Sequence, residues 1–190
     1  MQDEAGAAEV EANAGLHPRG PRQMSKEAAR SRWLVFAVGN PSRGDDALGP
    51  LLLERLERWA ATARTLSVDL VLLTDFQWQV EHALDLQGVD VAIFADASVS
   101  GAASFGMAPL APEFDASYST HALSPACVLA VAARLGQRLP QAWLLSMPGE
   151  DFELGAPLSA LAQCSLDAAF AHLCASLETG RLETVDPIPR

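Results

Sequence analysis

The sequence predicts an α/β protein, a three-layer αβα arrangement with a twisted, mostly parallel sheet of about five strands and helices on both faces. Three observations carry this. Runs such as "WLVFAV" (33–38) and "AWLLSM" (142–147) are apolar without alternation, the mark of strands buried on both faces. Segments between such runs repeat their apolar residues at helical spacing. Strands and helices also alternate along the chain, which calls for crossover connections and a parallel sheet. A chain of 190 residues, 49% of them apolar, suffices for one domain with a sizeable core.

Residues 1–31 are rich in Ala, Glu, Gly and Arg and poor in large apolar groups, so they are expected to be a disordered extension. Met24 opens "MSKEAARSRWLVFAVGN", a natural beginning, and is the expected physiological start. Residues 32–180 form the expected single α/β domain, and 181–190, with the prolines of "VDPIPR", an irregular tail. Within the domain, 33–38 is the first strand. The helix at 48–60 puts Leu48, Leu52, Leu56 and Trp59 on one face. A strand follows at 67–75, then a helix at 76–86 with Val80, Leu84 and Phe76 facing inward. The third strand is 89–98, and a fourth at 104–112 is weakened by Gly and Pro. After the polar loop 115–125, Ser124 and Pro125 make a good N-cap and first-turn pair for a helix at 126–135, with Val128, Ala132 and Leu135 on one face. The strand at 142–147 leads to a long helix at 157–178, apolar at Leu158, Ala162, Leu166, Phe170, Leu173 and Leu177.

The formal net charge is −11 and the sequence pI about 4.6. Such a surface repels phosphate backbones and anionic lipid, so neither nucleic acid nor membrane is an expected partner. The single lysine, Lys26, lies outside the domain, which disfavours Schiff-base chemistry and a Walker-type phosphate cradle. Cys127, Cys164 and Cys174 have no CxxC spacing and read as packing residues in a reducing compartment. The opening "MQDEAGAAEVEANAG" lacks the basic and apolar regions of a secretory signal, and no uninterrupted apolar run approaches the ~20 residues of a membrane span. The expected location is the cytoplasm.

Four acids lie at strand ends: Asp45, Asp46, Asp75 and Asp96. In open α/β sheets, ligands sit beyond the carboxyl ends of the strands. Asp45 and Asp46 either cap the helix that follows or hold something charged. Asp96 follows "VAIF" directly, where a carboxylate costs desolvation unless it is paired, bound to a cation or anchoring a loop. Asp75, beside Thr74 and Gln77, looks more like turn chemistry. Among the histidines, His17 is in the extension, and His82 and His172 sit in helical patterns that favour packing. His121, in a loop ahead of a helix start, is free to point into a cleft. Asp46, Asp96 and His121 together offer two carboxylates and an imidazole from three loops, a set that can hold a divalent metal with positions left open. The alternative is two carboxylates sharing a proton around a water. There is no GxSxG, GxGxxG or GxxxxGK[ST]. A phosphate-accepting receiver domain also places acids after its first and third strands. It needs a lysine after the fifth, however, where this chain has "PGEDFELG".

These segments resemble the hydrogenase maturation proteases, endopeptidases that trim the large subunit of [NiFe] hydrogenases. "VFAVGNPSRGDDALGP" is similar to that family's first strand and acidic loop. "VAIFADASVSG" is similar to its third strand with terminal Asp, "STHALSP" to its histidine loop, and "LGAPLS" to the segment before its last helix. "LLTDFQWQVEHALDL" and "YSTHALSPACVL" look most like the branch serving cytoplasmic NAD(P)-linked bidirectional hydrogenases. The resemblance covers about residues 33–178.

The resemblance implies metal contacts from Asp46, Asp96 and His121 to nickel carried by the precursor of the large subunit. Two carboxylates and one histidine form a weak site unless a substrate adds ligands, so the enzyme alone is expected to carry no tight metal. It implies cleavage of a short C-terminal extension, after which the large subunit closes over its active site. Either the nickel polarises the scissile carbonyl or a water, or it only positions the substrate while Asp46, Asp45 or Asp96 acts as general base. Gly39, Asn40, Gly44, Asp75 and Gln77 are the expected substrate-binding residues, and the N–H groups of residues 44–47 are oxyanion-hole candidates. The chain departs from the family at position 46, where Asp stands in place of the frequent Glu, and after the second strand, where "TDFQWQ" replaces a Gly-rich segment. The reading from a different class is a non-catalytic metal- or peptide-binding maturation chaperone on the same sheet.

Overall fold

Side chains along the first strand divide strictly by parity. Trp33, Val35 and Ala37 enter one buried cluster, and Leu34, Phe36 and Val38 enter another. A strand that is apolar on both faces needs cover on both, and the computed structural model supplies it. The structure describes residues 30–63, 65–99, 101–114 and 123–188. The expected extension, apart from Arg30 and Ser31, lies outside them, as do Met24 and His121.

The elements in order are β1 (Arg32–Val38), a 3-10 turn (Gly44–Ala47), α1 (Leu48–Ala60), β2 (Asp69–Asp75), a second 3-10 turn (Val80–Ala83), β3 (Val91–Ser98), β4 (Gly106–Pro109), α2 (Pro125–Arg134), β5 (Gln141–Pro148) and α3 (Ala160–Thr179). The sheet order is β2-β1-β3-β5-β4. The pairs β1–β2, β1–β3 and β3–β5 are parallel, and β4 runs antiparallel to β5. This is the expected α/β sheet.

On one face α1 and α3 supply Leu48, Leu52, Leu56, Leu166, Leu173 and Leu177 against Val35, Ile93 and Leu145 of the sheet. Each fully buried leucine of this kind contributes roughly 1.5–3 kcal/mol of burial. The other face is covered by α2, through Val128, Leu129 and Ala132, and by Trp78, Ala83 and Leu86. Helix α3 is long and apolar enough to cross a membrane by length and composition, but its apolar residues line this core. Ser124 caps α2 by accepting the Cys127 amide, and Pro125 takes its first turn, as expected.

Several expectations change. The segment 76–86 is not a helix, only turns around one short 3-10 stretch. Phe76, Val80 and Leu84 are exposed, while Trp78, His82, Ala83 and Leu86 are buried. The segment is pinned by side-chain bonds to Asp75, which outweigh its helical spacing. Helix α3 begins at Ala160 because Ser159 accepts the Ala162 amide and caps it there, later than the expected residue 157. Leu135 lies at the C-cap of α2 and is exposed. Cys164 is exposed rather than packed, whereas Cys127 is buried. The tail has irregular form but is docked: Val185 and Met107 exchange backbone bonds of 2.8 Å in both directions. This covers the otherwise open edge of β4.

The order places β2 and β3 on opposite sides of β1, with the connections leaving over opposite faces. The loops after β1 and β3 therefore diverge at their carboxyl ends and open a crevice between them, the switch point where ligands bind in such sheets.

Candidate active site

The loop after β1 turns sharply at Gly39, whose φ is +145°. A side chain there would be strained, and a Cβ would lie 2.0 Å from the carbonyl oxygen of Asp46. The Asn40 side-chain oxygen accepts the Ser42 amide at 2.9 Å, and the Asn40 backbone N–H donates to Asp46 Oδ2 at 3.2 Å. Gly44 has φ +48° and packs where a Cβ would lie 2.3 Å from the Asp151 carbonyl oxygen. These contacts curl the loop so that consecutive acids point to different surroundings.

Asp45 is fully buried. Its Oδ2 accepts the amides of Glu150 (2.7 Å) and Asp151 (3.0 Å), and its Oδ1 accepts that of Ser159 (2.7 Å). Burial pushes its pKa up, but these amides outweigh it and hold the carboxyl below its ordinary value. Asp46 is half-buried and held through the Asn40 amide. Neither acid caps α1: the N-cap is Ala47, with no side-chain bond to the helix end. Two of the candidate oxyanion-hole amides are already committed, Asp45 N to the Asp151 carbonyl at 2.7 Å and Asp46 N to the Arg43 carbonyl at 2.9 Å.

Asp96 lies near the end of β3, with only apolar residues before it in the strand. Burial pushes its pKa up to about 6. The bonds from the Trp78 indole and the Ala97 amide pull the other way, and the negative charge of Asp46 adds to the rise. The two acids are thus near enough for the charge of one to act on the other. Trp78 Nε1 donates to Asp96 Oδ2 at 3.2 Å.

Asp75, at the end of β2, is spent locally. Its Oδ1 accepts the Phe76 amide at 2.6 Å, and its Oδ2 meets Gln79 Nε2 at 3.1 Å and His82 Nε2 at 3.2 Å. His82 Nδ1 accepts the Gln79 amide at 3.0 Å, which places the ring proton on Nε2, facing Asp75. The turn chemistry read from Thr74–Gln77 is what this acid performs. Gln77 is exposed.

The structure therefore sets Asp46 and Asp96 on the neighbouring β1 loop and β3 end, near enough for the charge of Asp46 to raise the Asp96 pKa. It commits Asp45 and Asp75 to internal bonds and leaves His121 outside the described residues. Among the described residues, no three His, Cys, Asp or Glu side chains are placed to hold a metal ion. Two carboxylates alone are a weak divalent site. Trp78 was missed in the sequence. Its signal was a tryptophan, a large apolar ring with one obligatory donor, set among polar residues in "TDFQWQV".

No protein-family model matches the chain, and no curated protein does. Solved structures do. The hydrogenase maturating endopeptidase HybD from E. coli aligns with a TM-score of 0.60 at 22% identity, covering 82% of this chain and 97% of that one. The [NiFe] hydrogenase maturation protease HycI from Thermococcus kodakarensis aligns with a TM-score of 0.59 at 23% identity, covering 80% and 95%. An endopeptidase from Escherichia coli aligns with a TM-score of 0.61 at 23% identity, covering 81% and 96%. At these identities the likeness establishes a shared fold, which spans nearly the whole of each neighbour and places this chain's architecture among those of hydrogenase maturation endopeptidases.

Proposed function

We propose that the chain is an endopeptidase that removes the C-terminal extension from the nickel-loaded precursor of a [NiFe] hydrogenase large subunit. The observation that carries this reading is the pair Asp46 and Asp96 at the switch point, with Asp96 pushed up to about 6 by burial and by its partner's charge. A group poised near neutrality in a crevice is suited to exchange protons or to accept a cation. The fold shared with maturation endopeptidases supports the choice of reaction.

In this reading Asp46, Asp96 and His121 contact the nickel that arrives in the precursor. The metal marks a correctly loaded substrate and offsets the repulsion between the acids. One carboxylate of the pair orients the attacking water and takes its proton. Asp45 is scaffold: its three amide bonds hold the loops after β1 and β5 so that Asp46 is presented to the crevice. Gly39, Asn40 and Gly44 shape the same loop, and exposed Gln77 at the rim contacts the extension. The resemblance of residues 72–86 and 118–129 to the branch serving NAD(P)-linked bidirectional hydrogenases extends the reading to such a partner and to the cytoplasm.

The test is incubation of the purified chain with nickel-loaded precursor, followed by gel and mass analysis. Loss of a short C-terminal peptide is expected. A stable complex with no loss of mass would favour the chaperone.

A further inference from the structure

Asp96 does not orient itself. The residues before it in β3 are apolar, and among the described residues the side chain bonded to its carboxylate is that of Trp78, beside the Ala97 backbone amide. The indole is buried and wedged between strands, edge-on to Phe36 of β1 at 5.2 Å and to Phe94 of β3 at 5.4 Å. Those strands flank the switch point, so the ring lies on the side of the sheet away from α1 and α3 with its single N–H aimed at the acid. If Trp78 served packing alone, a phenylalanine would fill much of the same space without bringing a donor that must be satisfied.

Trp78 is in turn braced on both sides. Asp75 bonds Phe76 before it and Gln79 and His82 after it. The His82 ring also packs edge-on to Phe36 at 4.5 Å. The 76–86 segment is thereby stapled at Asp75 and held against the sheet at Trp78 and His82, and the indole cannot swing away from Asp96 without breaking this set.

We propose that Trp78, braced by Asp75 and His82, is a positioning residue that fixes the Asp96 carboxylate for contact with the cation borne by the substrate. The inference rests on the proposed role of Asp96. A donor held edge-on against two strands favours one orientation of the carboxylate, so less ordering remains to be done when the nickel arrives.

The test compares W78F, and a second variant with the benzothienyl isostere of tryptophan at position 78, which keeps the bicyclic shape and lacks the N–H. Binding is measured to precursor with and without nickel, beside melting temperature. Loss of one hydrogen bond to a charged group predicts about tenfold weaker binding of the nickel-loaded precursor. Binding of the nickel-free precursor stays unchanged, and the isostere melts like the native chain. Equal weakening of both forms by the isostere, or no weakening of either, would overturn the proposal. D96N separates the two layers. If D96N abolishes processing while the isostere binds like the native chain, only the positioning role fails. If D96N processes normally, the reading of Asp96 fails and takes this inference with it.

Discussion

Asp45 Oδ1 accepts the backbone amide of Ser159 at 2.7 Å, joining the loop after the first strand to the cap of the last helix. Asp45 Oδ2 holds two amides of the loop after β5. One buried carboxylate thus serves three N–H groups from a distant part of the chain. Removing it strands those donors, so D45A is expected to lose about 3 kcal/mol of stability. Asn, which has only one acceptor oxygen, should recover little. Urea unfolding of both variants checks this, and a change under 1 kcal/mol would show that Asp45 is not the tie described.

Gly39 is expected to resist even alanine. Its positive φ and the carbonyl oxygen of Asp46 beside it leave no room for a methyl group. G39A should destabilise by about 1–3 kcal/mol and displace Asp46, lowering processing further than the stability loss explains. Processing assayed well below the variant's melting temperature separates the two effects.

The two interior acids should move stability with pH in opposite directions. Asp45 has a lowered folded pKa, so its contribution is present above the ordinary value near 3.8 and is lost as pH falls through the lowered one. Asp96 has a folded pKa of about 6 against 3.8, so the folded state holds the extra proton between them. Stability then falls as pH rises from about 4 to 6 and stays lower above that. D96N should remove that fall and be more stable than the native chain at pH 7, by about 2–3 kcal/mol. Denaturant unfolding at pH 4.5 and 7.5 reads this. A D96N chain that loses stability at pH 7.5 would show that the acid is a structural anchor.

Asp46 contributes to that raised value, so D46N should let the Asp96 titration move toward the ordinary carboxylate range. Carboxyl-carbon NMR through pH 3–8 resolves the shift. An Asp96 titration indifferent to D46N would mean that the two acids do not share a crevice.

Much of the fold was legible because burial on both faces leaves a plain record. The run 33–38 and the alternation of strands and helices gave the sheet, and helix α1 spans 48–60 as its spacing predicts. The segment 76–86 misled because its apolar spacing fits a helix, while a single acid outside it, Asp75, sets its path through side-chain bonds. The site was half legible. Acids at strand ends point to the carboxyl edge of any such sheet, but which of two adjacent acids faces the crevice depends on a backbone turn at Gly39 and Gly44. Position in the sequence does not separate Asp45 from Asp46; three amides more than a hundred residues away do. The Trp78–Asp96 bond joins the segment after β2 to the end of strand β3, and nothing local in either announces it.

The most direct measurement is the initial rate at which D96N, matched to the native chain for folding by circular dichroism, releases the C-terminal peptide from saturating nickel-loaded precursor. The account predicts a fall of at least a hundredfold, the scale of a lost proton-transfer group, with the fold intact. Release at the native rate would contradict it.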